Sequence, residues 1–378
     1  MSDASLLPRL GPRLLFFSGG SALKATAAEL CRHLPNTVHL LTPFDSGGSS
    51  AALRRAFAMP AVGDLRSRIM ALADSKHQGN PEIYTLFAYR LPTKEAPRRL
   101  MAEFISLVRG SHPLMRQIPE PVNGILREHL AWFALRMPEN FPLAGANVGN
   151  LVLTAGYLRN KRRLGPVMAL FSRMVRARGM VRPVVDANAH LAVRLASGEV
   201  IVGQHRFTGK ERGRVPAPIE DIWLTASEDS PKPLTDLGIS PRTARLISGA
   251  GALCYPVGSF YSSVVANLLP SGVGRAVAQC QGRKIFVPNL GDDPELAGHS
   301  LLMQVERLLK PLLADAPGAR PVDCLSHVLV DEDSAYPGGI PEAELQALGI
   351  TVVRQKLVPQ GKILADARLL AQTLLGKH

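Results

Sequence analysis

The residues best suited to chemistry sit in short polar loops, each placed directly after an apolar run. The first loop is Ser18-Gly19-Gly20-Ser21-Ala22. Gly19 and Gly20 let backbone approach a ligand closely, and Ser21 offers a hydroxyl or a helix cap. Free amides at a helix start attract anions. The second loop is Asp45-Ser46-Gly47-Gly48-Ser49-Ser50, followed by Arg54 and Arg55. Its amides and hydroxyls suit phosphate. Asp45 would repel phosphate unless a cation lies between them, and one or two carboxylates with phosphate oxygens and water is the environment Mg2+ prefers. The third loop, 62-VGDLRSR-68, holds Asp64, a second carboxylate for the same ion, and Arg66, a guanidinium fork for phosphate oxygens. The fourth, 256-PVGSFYSS-263, presents Gly258, Ser259, Tyr261, Ser262 and Ser263. Four hydroxyls so close together exceed what a single helix cap requires. Asn150, in 145-GANVGN-150, opens a helix and brings an amide suited to a base, a ribose or a carboxylate. The plain alternative is a capped glycine turn for the first two loops, an N-cap Asp64 with an exposed Arg66 for the third, and a buried cap for Asn150. Two glycine loops on successive strands weigh against the capped turn.

The elements that must carry these loops are legible from periodicity. Residues 13–20 and 37–44 are apolar or β-branched runs of strand length, and 21–33 and 51–57 are rich in helix formers. Strand, helix, strand, helix with short links implies a parallel sheet with crossover helices, and in such sheets ligands bind beyond the carboxyl ends of the strands. From about 66 to 180 the chain reads as mostly helical, including 66–74, 96–110 and 122–138. Residues 190–207 alternate on either side of Ser197-Gly198, the mark of a β-hairpin, and 206–221 read as loop. The α/β rhythm returns from 241, with a strand at Leu253-Cys254-Tyr255, a helix over 264–280, strands at 284–290, 325–333 and 349–358, and a helix over 295–314. The expected fold is therefore a Rossmann-like, doubly wound, mostly parallel α/β sheet in one domain over 1–378. Its core covers about 13–358, with a helical and hairpin insertion over about 75–220.

Composition narrows the partners. The chain has 378 residues with 46% hydrophobic and 20% charged, which suits a globular core. No apolar run reaches the roughly 18 residues of a membrane span, and the first 20 residues lack a signal-peptide pattern. A cytoplasmic location follows as the expectation. Cys31, Cys254, Cys280 and Cys324 form no CxxC pair and read as buried free thiols. The ten histidines are scattered, and no GxSxG elbow, HExxH or Cys–His signature occurs. The formal charge of +13 suits nucleic acid or small phosphorylated ligands. Aromatic residues are only 5% and form no stacking ladder, so the expected partner is a small molecule and not nucleic acid. The basic run 159-RNKRR-163 reads as a solvated face.

Taken together and in order, the glycine turn, D-x-GGSS with a following Arg, GDxR, GNLxL and GSxYxS resemble the 2-phospho-L-lactate transferase (CofD-like) family, and also its bacterial branch of nucleotide-sugar-binding regulators. The similarity runs from about 13 to 358. Several positions depart from the family pattern: Ser18 and Ala22 stand where glycines are usual, Ser46 where a second aspartate is common, and Val257 where proline is. 145-GANVGN-150 lacks the histidine of the regulator branch.

The resemblance implies a Rossmann-like domain that binds a nucleotide and a divalent metal. Family transferases move a phospholactyl group from a guanylylated phospholactate to a deazaflavin precursor, releasing GMP. Carried onto this sequence, Gly19, Gly20 and Ser21 would face the nucleotide, Asp45 and Asp64 would lie near Mg2+, and Asn150 would help hold nucleotide or acceptor. The 258–263 loop would shape the far wall. The expected activity is transfer of a phosphorus-containing group from a nucleotide-activated donor to an acceptor hydroxyl, with Arg54 or Arg66 stabilising the leaving phosphate. The alternative is a nucleotide or nucleotide-sugar sensor without turnover. A homodimer is compatible with either.

Overall fold

The computed structural model describes residues 14–34, 36–73, 80–209 and 213–376. The signal-peptide reading of the first residues falls largely on 1–13, outside the described residues, as do residue 74 of the expected 66–74 helix and the start of the expected insertion at 75. In chain order the described strands are β1 (Leu14–Ser18), β2 (Thr37–Leu41), β3 (Met180–Pro183), β4 (His190–Leu195), β5 (Val200–Val202), β6 (Ile219–Ser227), β7 (Ser230–Pro233), β8 (Ala252–Tyr255), β9 (Arg283–Phe286), β10 (His327–Asp331) and β11 (Thr351–Gln355). Seven of them form one sheet in the order β11-β10-β9-β8-β1-β2-β3, and every pairing in it is parallel. The expected doubly wound parallel fold is thus present.

β1 reads LLFFS because helices cover both faces of the sheet. All five residues are buried, so the strand is a continuous apolar run and not an alternation. Phe17 stacks on Tyr255 and Phe16 on His39, tying β1 to its two neighbours. The strand order runs outward in both directions from the β8–β1 pair: β1, β2, β3 one way and β8, β9, β10, β11 the other. Leu14 pairs with Thr37 on one side and Ala252 on the other, so the three strands are level. Their carboxyl ends release the 18–22, 42–50 and 256–263 loops at one edge. A crevice opens where the order reverses, and that is the expected ligand position in such sheets.

The helical middle lies between β2 and β3. Its helices, among them Pro97–Arg109, Val122–Arg136 and Leu164–Met174, bury Phe104, Phe133 and Phe171 in a second apolar cluster beside the sheet. Each such side chain contributes about 1.5–3 kcal/mol by leaving water. The hairpin at 190–207 forms as β4 and β5, but it belongs to a four-stranded antiparallel sheet, β5-β4-β6-β7. Sequence gives no sign of β3, β6 or β7, and β3 joins the main sheet inside the span expected as an insertion. β6 begins inside the segment taken as loop, because Pro216 and Pro218 mask the alternation of Ile222 and Leu224 that follows. The expected helix over 264–280 is broken: a π-turn over Phe260–Val264 and a 3-10 turn over Val265–Leu268 precede a helix at Val273–Gln279. Pro270 removes an amide donor and Gly272 takes φ +92°, a conformation costly for other residues. The 295–314 helix starts at Leu301 behind a Ser300 cap. All four cysteines are buried, as expected.

Candidate functional site

A cavity of about 270 Å³ occupies the crevice beyond β1 and β8. Its wall takes Gly19, Gly20 and Ser21 from the first loop, Asp45 from the second, Asp64 from the third, and Gly258, Ser259 and Ser263 from the fourth. One residue set thus draws on all four loops singled out by sequence. Ser67, Gln204 and Val257 complete much of the lining, and among the described residues no lysine or arginine lines it.

The glycines are there for proximity. A Cβ on Gly19 would lie 2.2 Å from Ser263 Oγ, and one on Gly20 would lie 3.1 Å from Asp64 Oδ1. The first turn therefore touches both the opposite wall and the carboxylate. The helix that follows, α1, begins only at Lys24, and no side chain caps it. Ser21 is thus no N-cap; its carbonyl accepts from the Lys24 amide.

The second loop splits its residues between two tasks. Asp45 Oδ1 accepts from the Gly47 amide at 3.1 Å and fixes the turn. Gly47 is the N-cap of α2 (Gly48–Phe57). Ser46 is tied to the turn after β5: its amide donates to Gln204 Oε1, its hydroxyl lies 2.8 Å from His205 Nδ1 and also accepts from the His205 amide. Gly48 and Ser49 line a neighbouring cavity of about 220 Å³ instead. Ser50 is buried against Gly63, where an added Cβ would meet its Oγ at 2.6 Å.

The two arginines expected to face phosphate do not line the cavity. Arg54 is 4% exposed and donates to the carbonyls of Phe44, Asp45 and Ala189 and to Asn188 Oδ1. It clamps the backbone below the second loop. Arg66 donates to Asn150 Oδ1 and to the Phe87 carbonyl, while Asn150 Nδ2 donates to Ser49 Oγ. Asn150 thus bridges α2 and α3 (Gly63–Ala71) and caps nothing, since Asn147 is the cap. Burial lowers both guanidinium pKa values to about 10, so both stay charged at neutral pH.

The fourth loop differs most from its sequence reading. Asn289 Oδ1 accepts from the Gly258 amide, Asp293 Oδ2 from the Phe260 amide, and Glu295 Oε2 from the amides of Tyr261 and Ser262. Ser262 Oγ donates to Glu295 Oε1 at 2.5 Å. Tyr261 Oη is buried between the Ile219 carbonyl and His299 Nε2. Tyr261 and Ser262 are therefore spent on the protein, and only Gly258, Ser259 and Ser263 face the cavity. Burial, reinforced by neighbouring Asp293, pushes the Glu295 carboxyl up to about 7.

Arg68 went unread, although its signal was present. It lies four residues after Asp64 on α3, hence on the same helix face, whereas Arg66 is turned away. It is 1% exposed, and its Nη2 donates to the carbonyls of Gly19 at 3.0 Å and Gly20 at 3.3 Å. Gln204 and His205 carried no signal, because only the antiparallel sheet brings them to the second loop. No cluster of three or more metal-ligating side chains occurs among the described residues, so a cation here would rest on Asp45, Asp64 and non-protein oxygens. Among the described residues no helix is long and apolar enough to cross a membrane.

A family profile described as 2-phospho-L-lactate transferase CofD matches residues 14–358. The gluconeogenesis factor of Bacillus subtilis is 25% identical over 358 residues, covering 92% of this chain and 91% of that protein. Relatives in Nostoc and Deinococcus radiodurans are 25% and 26% identical, but the chain spans only 50% and 51% of their length. A crystal structure of a UPF0052 family member from Bacillus halodurans aligns with a TM-score of 0.69 at 20% identity, covering 97% of this chain and 99% of that one. At that identity the likeness speaks to the fold.

Proposed function

The chain belongs to the 2-phospho-L-lactate transferase CofD family, and on that premise we propose that it transfers a phosphorus-containing group from a nucleotide-activated donor to an acceptor hydroxyl, with release of a nucleoside monophosphate. One observation carries this reading. Asp45 and Asp64 line a polar cavity beside a glycine turn, at the reversal of strand order, and among the described residues no basic side chain lines it. Two carboxylates alone would exclude a diphosphate, but two carboxylates holding a divalent cation would attract one. Asp45 and Asp64 fit Mg2+, which would supply charge neutralisation of the phosphate oxygens.

The remaining work falls to the chain itself. Such transfers depend on in-line placement and charge compensation more than on a covalent nucleophile. The turn at Gly19–Ser21 and the hydroxyls of Ser259 and Ser263 would hold the phosphate oxygens. A second, more apolar cavity of about 300 Å³ shares Ala22, Val257, Gly258 and Ser259 with the first. It offers room for the part of a substrate beyond the phosphates.

The test is product analysis. The protein is incubated with Mg2+, nucleotide-activated phospholactate and related donors, and hydroxyl acceptors, and released nucleoside monophosphate is measured. Asp45→Asn should lower turnover at least about 100-fold, the scale of losing one preorganised electrostatic contact. Full turnover with unchanged metal dependence in that variant would remove Asp45 from the reading. A second reading, a ligand-binding regulator without turnover, draws support from the factor names of the relatives and from Ser46, which stands where a second aspartate is common in the family and is tied to His205 instead. Saturable nucleotide binding with no product across the donor panel would favour it.

A further inference from the structure

We propose that Arg68 is a positioning residue that turns the first loop into an oxyanion nest, aiming the amides of Gly20 and Ser21 at the phosphate oxygens of the ligand. The inference rests on the reading of the cavity as a diphosphate site and deepens it.

The geometry is that of the peptide plane. In a trans peptide the carbonyl and the following N–H point in opposite directions. The Gly19 and Gly20 carbonyls are both drawn back toward the buried Arg68 Nη2. The N–H groups of Gly20 and Ser21 are therefore directed away from Arg68, and both residues line the cavity. Among the described residues neither amide donates to a backbone carbonyl. Successive N–H groups aimed at one point make an anion-binding concavity.

Charge supports the same conclusion. The Nε and Nη1 of Arg68 are buried and have no hydrogen-bond partner among the described residues. Asp64, four residues earlier on the same helix face, lies in its field, as does His39. Burial lowers the guanidinium to about 10, so it keeps its charge at neutral pH. A cation held out of water directly behind the nest acts through a low dielectric, where its attraction for an anion is larger than at the surface. The role that sequence assigned to Arg54 or Arg66, both occupied elsewhere, thus falls to a residue that never touches the ligand.

The probe is inorganic pyrophosphate with Mg2+, titrated into the full chain by calorimetry and followed by amide resonances. In the wild-type protein, pyrophosphate should shift the amide signals of Gly20 and Ser21. Arg68→Gln should weaken pyrophosphate binding about tenfold, since a hydrogen bond to a charged group is worth roughly that. Arg68→Lys, which keeps the charge but loses the fork, should fall between. A folded Arg68→Gln variant binding as tightly as wild type would overturn the proposal and leave the diphosphate reading standing. So would pyrophosphate binding that leaves both amide signals in place, and that wild-type result decides the matter even where the variants do not fold. Failure of wild type to bind pyrophosphate, GDP and UDP alike would remove the diphosphate reading itself.

Discussion

The two glycine- and serine-rich walls of the cavity look alike in sequence and are opposite in physics. At the 18–21 turn the Gly19 and Gly20 carbonyls are held from behind by a cation, Arg68, and on the proposal above the amides of Gly20 and Ser21 face the ligand. At the 258–263 loop the amides are taken by the protein's own oxygens, from Asn289, Asp293 and Glu295. On that proposal the first wall receives an anion; the second is already filled by the protein's own carboxyl groups. Polar loops of the same composition can therefore be a binding surface or a finished structural joint. What decides is the side chain behind them, not the glycines and hydroxyls within them.

The largest effect should come from dismantling the finished joint. Glu295→Ala strands two buried amides and a buried hydroxyl, and should cost about 3 kcal/mol of unfolding free energy in a denaturant titration. Its charge also sets a pH signature. The folded Glu295 carboxyl binds its proton more tightly than the unfolded one, about 7 against an ordinary 4.5. The folded state therefore carries more protons in that window, and stability falls as pH rises from about 4.5 to about 7. Glu295→Gln should flatten that slope. An unchanged slope would mean that the carboxyl is not held protonated by its burial.

The next effect probes the contact between the two walls. Gly19→Ala would place its Cβ 2.2 Å from Ser263 Oγ and 2.5 Å from Ser263 Cβ. Overpacking of this kind costs roughly 1–3 kcal/mol. Ser263→Gly in the same chain should recover most of the loss, a coupling readable in a double-mutant cycle. Additive effects would show that the walls do not meet there.

The smallest effect concerns the tie between the sheets. His205→Ala removes the imidazole contact and leaves Ser46 with the Gln204 side chain and the residue 205 amide. It should cost about 1 kcal/mol, and Ser46→Ala should cost less in that background than alone, because only the residue 205 amide remains on its hydroxyl.

Much of this architecture was legible in sequence because it is local. β1 and β2 are buried throughout and largely apolar since both sheet faces are covered, and their loops announce themselves by Gly, Ser and Asp after each run. Asp45, Asp64, Gly19 and Gly20 do converge, because successive parallel strands must release their loops at one edge. What failed was anything decided by distant partners. Tyr261 and Ser262 read as ligand hydroxyls because Glu295, more than 30 residues away, gives no sign at that loop that it will claim their amides. Arg54 and Arg66 read as phosphate forks because nothing local shows the backbone carbonyls they satisfy. β6 was hidden by the prolines before it, and with it the route by which Gln204 and His205 reach the second loop.

The central claim is that Asp45 and Asp64 make the cavity a site for a cation-bridged diphosphate. Calorimetric titration of pyrophosphate into the wild-type chain, with Mg2+ and then with Mg2+ chelated, tests it most directly. The account predicts affinity at least about tenfold higher with Mg2+, and no such difference in the Asp45→Asn, Asp64→Asn double variant. Equal wild-type affinity with and without Mg2+ would contradict it.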